Sequence, residues 1–416
     1  MEDFLRGVRE AEAALRPLFE PTPLQRNDYL SAKYGAEIWL KREDLSPVRS
    51  YKIRGASNAM RKALARDPGR RRFVCASAGN HAQGMAYACR HYDAEGVIFM
   101  PVTTPQQKID KTRQFGGGQV EIRLVGDYFD DTLKAAQAFC AEAGALFLPP
   151  FDSLDVIEGQ ATCGLELLGQ LPEGVVPDLL VMPVGGGGLA AGMAQVFAAE
   201  APGTALRFVE PLGGPSLKRA LEAGRLVTLE KVDNFVDGAA VARIGELNFD
   251  VLGGFPAKDV VTVPEDRLCG TMIEMLNIEG VVLEPAGALA IDALRDLDPL
   301  EGKVVVAVVS GGNFDFDRLP DVKERALRWE GRKKYFILRL PQRPGALREF
   351  LNLLGPEDDI TRFEYLKKSA RNFGSVLIGI ESRGAADAEA VRARMTAAGF
   401  TYIDITEDAV ITNLII

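Results

Sequence analysis

The sequence predicts an α/β protein that ends in a small α+β module, and three observations carry that expectation. Short runs that are apolar throughout alternate with longer segments of helical period, the ends of those runs are rich in Gly, Ser and Asn, and the pattern changes beyond residue 334. Uniformly apolar runs suit strands buried on both faces, and strand–helix alternation argues for a parallel sheet covered by helices.

In chain order the strand candidates are A-E-I-W-L-K near 36, R-F-V-C-A near 72, G-V-I-F-M near 96, V-E-I-R-L-V near 120 and A-L-F-L-P near 145. D-L-L-V-M-P-V near 178, L-R-F-V-E near 206 and K-V-V-V-A-V-V-S near 303 continue the series. In such sheets ligands collect at the carboxyl ends of the strands. A charged stretch over 315–334 then reads as a helix or linker closing one domain. Beyond it, K-Y-F-I-L-R-L, P-G-A-L-R-E-F-L-N-L-L, I-T-R-F-E-Y-L, G-S-V-L-I-G-I-E, an alanine-rich helical segment and F-T-Y-I-D-I-T give β-α-β-β-α-β, a ferredoxin-like unit.

Composition narrows the class of function. With 416 residues, 47% hydrophobic and 26% charged, the chain is an ordinary folded protein of two or three domains. A net charge of −9 disfavours nucleic acid and anionic membrane surfaces, which need a positive field. The cysteines Cys75, Cys89, Cys140, Cys163 and Cys269 are scattered without a C-x-x-C pair and read as reduced core residues. The acidic start, M-E-D-F-L-R, is unlike a secretory signal, and no apolar run is long enough to span a membrane, so the expected location is the cytoplasm. Only His81 and His91 exist, which argues against a Ser-His-Asp triad or a multi-histidine metal site.

Three motifs bear chemistry. V-M-P-V-G-G-G-G-L-A-A-G, from Val181 to Gly192, lets the backbone approach an anion at a helix start. Taken alone it also fits a dinucleotide turn or a ligand-free glycine turn, with Glu210 ending the next strand. Its depth in the chain and its four consecutive glycines suit a single phosphate better. Ser77, Ala78, Gly79, Asn80 and His81 follow the strand R-F-V-C-A and offer free amides plus the Ser77 and Asn80 side chains to a carboxylate, although the same residues serve equally as a plain helix cap. Lys52, in R-S-Y-K-I-R-G-A, lies in a mixed aromatic and cationic setting that would lower its pKa and make it nucleophilic toward an aldehyde. A reactive lysine, a phosphate cup and a carboxylate cradle together make a pyridoxal phosphate site for amino acids, and Ser310, in V-V-S-G-G-N, stands where a hydroxyl could meet the pyridine nitrogen.

These four motifs, in this order and spacing, resemble the threonine dehydratases (threonine ammonia-lyases) of the tryptophan synthase β-like, fold type II pyridoxal phosphate enzymes, over about residues 5–315. The C-terminal unit resembles the single ACT-like regulatory domain of short biosynthetic members. The resemblance implies a catalytic domain over 1–322 with a smaller subdomain at roughly 50–148, a linker over 323–333 and an ACT-like domain over 334–416. It implies that Lys52 holds pyridoxal 5'-phosphate and moves the Cα proton, and that Tyr51 stacks on the ring. Gly185, Gly186, Gly187, Gly188 and Leu189 would bind the phosphate, Asn80 the ring hydroxyl, and Ser310 the ring nitrogen. Ser77, Gly79, Asn80 and His81 would line the substrate carboxylate site. L-threonine would give 2-oxobutanoate and ammonia, with L-serine a poorer substrate, as the first step of isoleucine biosynthesis. The turn Pro341–Leu347, with Arg343 where an acid is common, would take isoleucine as inhibitor, with valine opposing it, in a homo-oligomer (dimer or tetramer).

Two departures refine this. Ala78 stands where serine racemases carry a second serine, which argues against two-base racemisation. Ser216 stands where the racemase-like metal loop has an acid, so no metal is expected, and a monovalent ion near Glu210 is the remaining option. The competing readings are another β-eliminating lyase of this fold, a NAD-dependent dehydrogenase suggested by the glycine loop alone, and a non-catalytic amino-acid sensor suggested by the C-terminal unit.

Overall fold

A computed structural model of the chain describes residues 1–297, 299–366 and 372–408. The last residues expected in the C-terminal domain, 409–416, lie outside the described residues. The chain divides into two compact units, one of residues 1–265 and 275–315, the other of 266–274 and 316–416. Among the described residues no helix is long and apolar enough to cross a membrane.

The first unit holds strands β1 (Leu24–Arg26), β2 (Glu37–Arg42), β3 (Arg72–Ala76), β4 (Glu95–Met100), β5 (Val120–Leu124), β6 (Leu146–Phe147), β7 (Leu179–Pro183), β8 (Ala205–Pro211), β9 (Val260–Val263) and β10 (Val304–Val309). They form two sheets, in the orders β1-β2-β10-β7-β8-β9 and β5-β4-β3-β6. Every pairing is parallel except β1 on β2. The uniformly apolar β10 and β7 are the centre of the larger sheet, with Val305 to Val309 and Leu180 to Met182 wholly buried. The smaller sheet falls inside the expected 50–148 subdomain. Periodicity alone overlooks β1 and β9, because three or four residues are too few to show an alternation.

The helix Lys52–Arg66 is the hinge of this unit's interior. It packs on the helix Leu154–Gln170 at glycine distance: a Cβ on Gly159 would lie 2.6 Å from the Arg54 carbonyl oxygen and 2.7 Å from Gly55 Cα. The helix Asn80–His91 meets it the same way, since a Cβ on Gly84 would sit 3.0 Å from the Lys52 carbonyl carbon. Both contacts are backbone to backbone, where nothing can yield cheaply.

The second unit contains β11 (Lys333–Pro341), β12 (Asp359–Leu366), β13 (Phe373–Glu381) and β14 (Thr401–Asp404), with helices Ala346–Leu351 and Ala385–Ala397. The antiparallel order β12-β13-β11-β14 is the ferredoxin-like arrangement that the sequence predicts. Its core gathers Phe336, Leu338, Phe350, Val376, Ile378 and Val391. Within the stretch expected as a linker, the helix Leu319–Trp329 runs on to Trp329, and β11 starts at Lys333.

Close packing at Gly159 makes a measurable claim. Gly159→Ala should lower stability by about 2 kcal/mol through overpacking. Gly169→Ala, in the same helix but with no atom within 4 Å of the added methyl, should be neutral or gain up to about 1 kcal/mol. Urea midpoints of the two variants check this, and equal shifts would contradict it.

Candidate active site

Lys52 opens its helix at the point where β10 ends. Tyr51 donates its amide to the Ser310 carbonyl (3.1 Å), Ser50 bridges Gly311, and Gly312 donates to the Arg49 carbonyl (2.9 Å). This joint forces Arg49 into the left-handed region (φ 60°), a conformation that costs a non-glycine residue about 1 kcal/mol. It lays Ser310 and Lys52, 258 residues apart in sequence, on adjoining backbone.

The Lys52 ammonium donates to the Pro150 carbonyl (2.9 Å), with the Tyr51 and Phe151 rings 5.3 and 5.9 Å from its Nζ. Burial lowers its pKa to about 8, with the Glu284 charge working the other way. Phe151 also lies against the glycine loop: a Cβ on Gly186 would be 2.2 Å from its ring. Pro150 and Phe151 therefore tie the lysine to the loop. Gly187 caps the helix Gly188–Glu200 with φ 95°, which glycine adopts freely. Among the described residues no protein acceptor takes the amides of Gly185, Gly186, Gly187, Gly188 or Leu189. Five open amides at a helix N-terminus fit a phosphate.

Asn80, first residue of its helix, donates Nδ2 to Glu284 Oε1 (2.7 Å) and accepts from Asn313 Nδ2 at Oδ1 (2.8 Å). An amide nitrogen has two hydrogens, so one remains for a ligand. Ser77 Oγ accepts the Gly79 amide at 3.2 Å, and the space beyond Gly79 is open. Among the described residues the amides of Asn80, His81 and Ala82 have no protein acceptor, and they can face a carboxylate. The His81 ring points elsewhere, to the Leu148 carbonyl (2.9 Å), and burial followed by the Lys52 charge pushes its pKa down to about 3. It is a neutral buttress that offers the site its backbone. Ser310 is buried, its Oγ donating to the Ala286 carbonyl (3.2 Å). Tyr51 packs beside Lys52, and burial raises its phenol pKa.

Sequence reasoning missed Glu284 and Asn313. Burial, then the Asp237 charge, raise the Glu284 pKa to about 7. A Cβ on Gly311 would be 2.1 Å from its Oε1, so the strand end and this carboxylate are mutually fitted. The visible signal was a lone carboxylate in V-V-L-E-P-A-G-A-L-A-I, residues 281–291, since a charge within an apolar run is buried for a reason. Asn313 gave no signal beyond following Gly312.

Glu210 is wholly buried and accepts the amides of Leu217 (2.7 Å) and Lys218 (2.9 Å), with the Ser216 hydroxyl at 3.4 Å. Its carboxylate is spent on the helix Ser216–Ala223. Among the described residues no group of three or more His, Cys, Asp or Glu is placed to hold a metal ion.

Known proteins share these features. Residues 15–311 match the family "Pyridoxal-phosphate dependent enzyme", and residues 324–415 match "C-terminal regulatory domain of Threonine dehydratase". The chain is 46% identical over 415 residues to the biosynthetic L-threonine dehydratase IlvA of Bacillus subtilis (strain 168), covering 99% of this chain and 97% of that one. Among solved structures, the processed form of threonine deaminase isoform 2 from Solanum lycopersicum superposes with a TM-score of 0.69 at 34% identity, over 78% of this chain and 94% of that one. Maize serine racemase gives 0.69 at 28% identity, over 78% and 98%.

The depressed lysine pKa has a kinetic signature. Labelling of Lys52 by an amine-selective reagent in the cofactor-free protein should rise with pH around a midpoint near 8, as the neutral amine appears. Glu284→Gln removes the charge that favours the ammonium and should move the midpoint lower. Peptide-resolved labelling across pH measures both, and a midpoint near 10 would refute the environment described.

Proposed function

Because the chain belongs to the pyridoxal-phosphate dependent enzymes, and among them to the biosynthetic L-threonine dehydratases, we propose that it dehydrates and deaminates L-threonine to 2-oxobutanoate and ammonia, and L-serine more weakly to pyruvate. The observation that carries this is the meeting of Lys52, held on the Pro150 carbonyl, with a glycine loop whose amides are open. A dehydrogenase reading has no use for that lysine, and a sensor reading leaves it unexplained.

Pyridoxal 5'-phosphate, when bound, supplies an electron-accepting ring that makes the substrate's Cα proton acidic. The residues divide the rest. Lys52 anchors the cofactor through its amine and then takes the Cα proton, a task suited to an amine titrating near working pH. Gly185, Gly186, Gly187, Gly188 and Leu189 receive the phosphate on their amides. Tyr51 would flank the ring, and the spare Asn80 hydrogen would be available to the ring hydroxyl, with Glu284 and Asn313 fixing the amide's orientation. Ser77, Gly79 and the amides of Asn80 and His81 hold the substrate carboxylate. Ser310 would face the ring nitrogen with a hydroxyl, which carries no formal charge that would hold a proton there.

In the same reading residues 1–322 are the catalytic part and 334–416 the regulatory part of a cytoplasmic homo-oligomer in isoleucine biosynthesis. The regulatory unit has a cavity of about 350 Å3 at the Pro341–Leu347 turn, with apolar walls from Leu340, Leu347, Leu351, Phe363 and Tyr365. Arg343, which stands where an acid is common, is paired bidentately with Glu349 (2.7 Å twice). Arg348, also on the cavity, has no side-chain partner among the described residues and suits an amino acid's carboxylate better. An aliphatic side chain beside such a cation describes isoleucine, with valine as the smaller competitor.

Leu347→Trp fills this cavity and should leave threonine turnover intact while abolishing inhibition by isoleucine. Rates of 2-oxobutanoate release with and without isoleucine test it. Inhibition that survives in the variant, or that is absent from the unmodified enzyme, would remove the regulatory assignment.

A further inference from the structure

We propose that Asn248 is the positioning residue that sets the glycine loop for phosphate, an inference that rests on reading that loop as the phosphate site. The peptide between Gly186 and Gly187 is flanked by two glycines, so neither neighbour has a Cβ to oppose its rotation. Left to itself, that peptide could present either its carbonyl or its amide to the ligand.

The geometry selects one. Asn248 Nδ2 donates to the Gly186 carbonyl at 2.7 Å, and the Gly245 amide donates to the same oxygen at 3.1 Å. In a planar trans peptide the C=O and N–H point to opposite sides. A carbonyl drawn toward Gly245 and Asn248 therefore sends the Gly187 N–H the other way, where no protein acceptor among the described residues takes it. An oxygen turned inward would instead repel an anion.

Asn248 is wholly buried, and among the described residues its Oδ1 has no hydrogen-bond partner. A buried acceptor left unpaired lowers stability, so the residue is held for its donor end at the expense of the fold. Its surroundings hold it in register. Asp152 accepts the amides of Glu246 and Leu247, both at 3.0 Å, and so fixes the first turn of the helix Glu246–Leu252 that carries Asn248. A Cβ on Gly187 would lie 2.9 Å from Asn248 Cβ, so helix and loop are in direct contact. Asp152 follows Phe151, the residue that covers Gly186, which joins the device to Lys52 through Pro150.

The test compares two ligands on cofactor-free protein: pyridoxal 5'-phosphate, and pyridoxal, which has the ring and aldehyde but no phosphate. Asn248→Leu keeps the side chain's size and removes the donor without adding charge. It should weaken pyridoxal 5'-phosphate roughly tenfold, the loss of about one buried hydrogen bond, and leave pyridoxal unchanged. Asn248→Thr, which retains a shorter donor, should fall between and decides the matter where the leucine variant does not fold. Equal weakening of both ligands, or an unchanged ratio of the two affinities, would overturn the proposal. An unmodified protein that binds both ligands equally would refute the phosphate reading instead.

Discussion

One buried ionic knot fixes the helix on which the site depends. Arg54, wholly buried two residues after Lys52, is clamped by Glu43 (2.8 Å from both Nε and Nη2) and by Glu166 (2.8 Å), while Lys41, also wholly buried, holds Glu166 at 2.6 Å. The partly exposed Arg16 adds a third cation on Glu166 at 2.8 Å, and Thr22 adds its hydroxyl to Glu43 at 2.5 Å. Burial alone would raise the Glu166 pKa, but Arg54 and Lys41 overcome it and hold it at about 2. Removing one member of such a knot leaves a buried charge unpaired, at a cost of about 3–5 kcal/mol. The knot joins the end of β2, the Lys52 helix and the helix Leu154–Gln170, so the reactive lysine starts from a backbone with almost no freedom.

From that fixed point the site is assembled by strand ends. β10 delivers Ser310 against Tyr51, β7 delivers the glycine loop, and β3 delivers Ser77 and the helix at Asn80. The aromatic and carbonyl groups of Pro150 and Phe151, between the two sheets' chain segments, close the gap. This is the usual gathering of ligand groups at carboxyl ends of parallel strands, with precision supplied by glycines at Gly84, Gly159, Gly186 and Gly311 that let backbone meet backbone, an aromatic ring or a carboxylate.

Much of this was legible in the sequence because its signals are local. A run such as V-V-V-A-V-V announces a strand buried on both faces, and R-S-Y-K-I-R-G or four successive glycines announce their chemistry within a few residues. The β-α-β-β-α-β order of the second unit was legible for the same reason. What stayed hidden depends on contacts between distant segments. Asn248 sits in E-L-N-F-D like any surface asparagine, and only the fold places it under Gly186. His81 was expected to line the carboxylate site, and only the fold shows that its ring turns to the Leu148 carbonyl, 67 residues on. Arg343, which the sequence marks only as a cation where an acid is common, pairs with Glu349, six residues later. Pairwise choices of this kind among charged side chains are settled by geometry that spacing does not encode.

The account stands or falls on Lys52 as the point of covalent attachment. Borohydride reduction of the enzyme with its cofactor bound converts the carbon–nitrogen bond between lysine and cofactor into a permanent one, and digestion then locates the modified residue. The account predicts a single labelled peptide containing Lys52, with the label lost in Lys52→Ala. A label on any other lysine in the unmodified enzyme would contradict it.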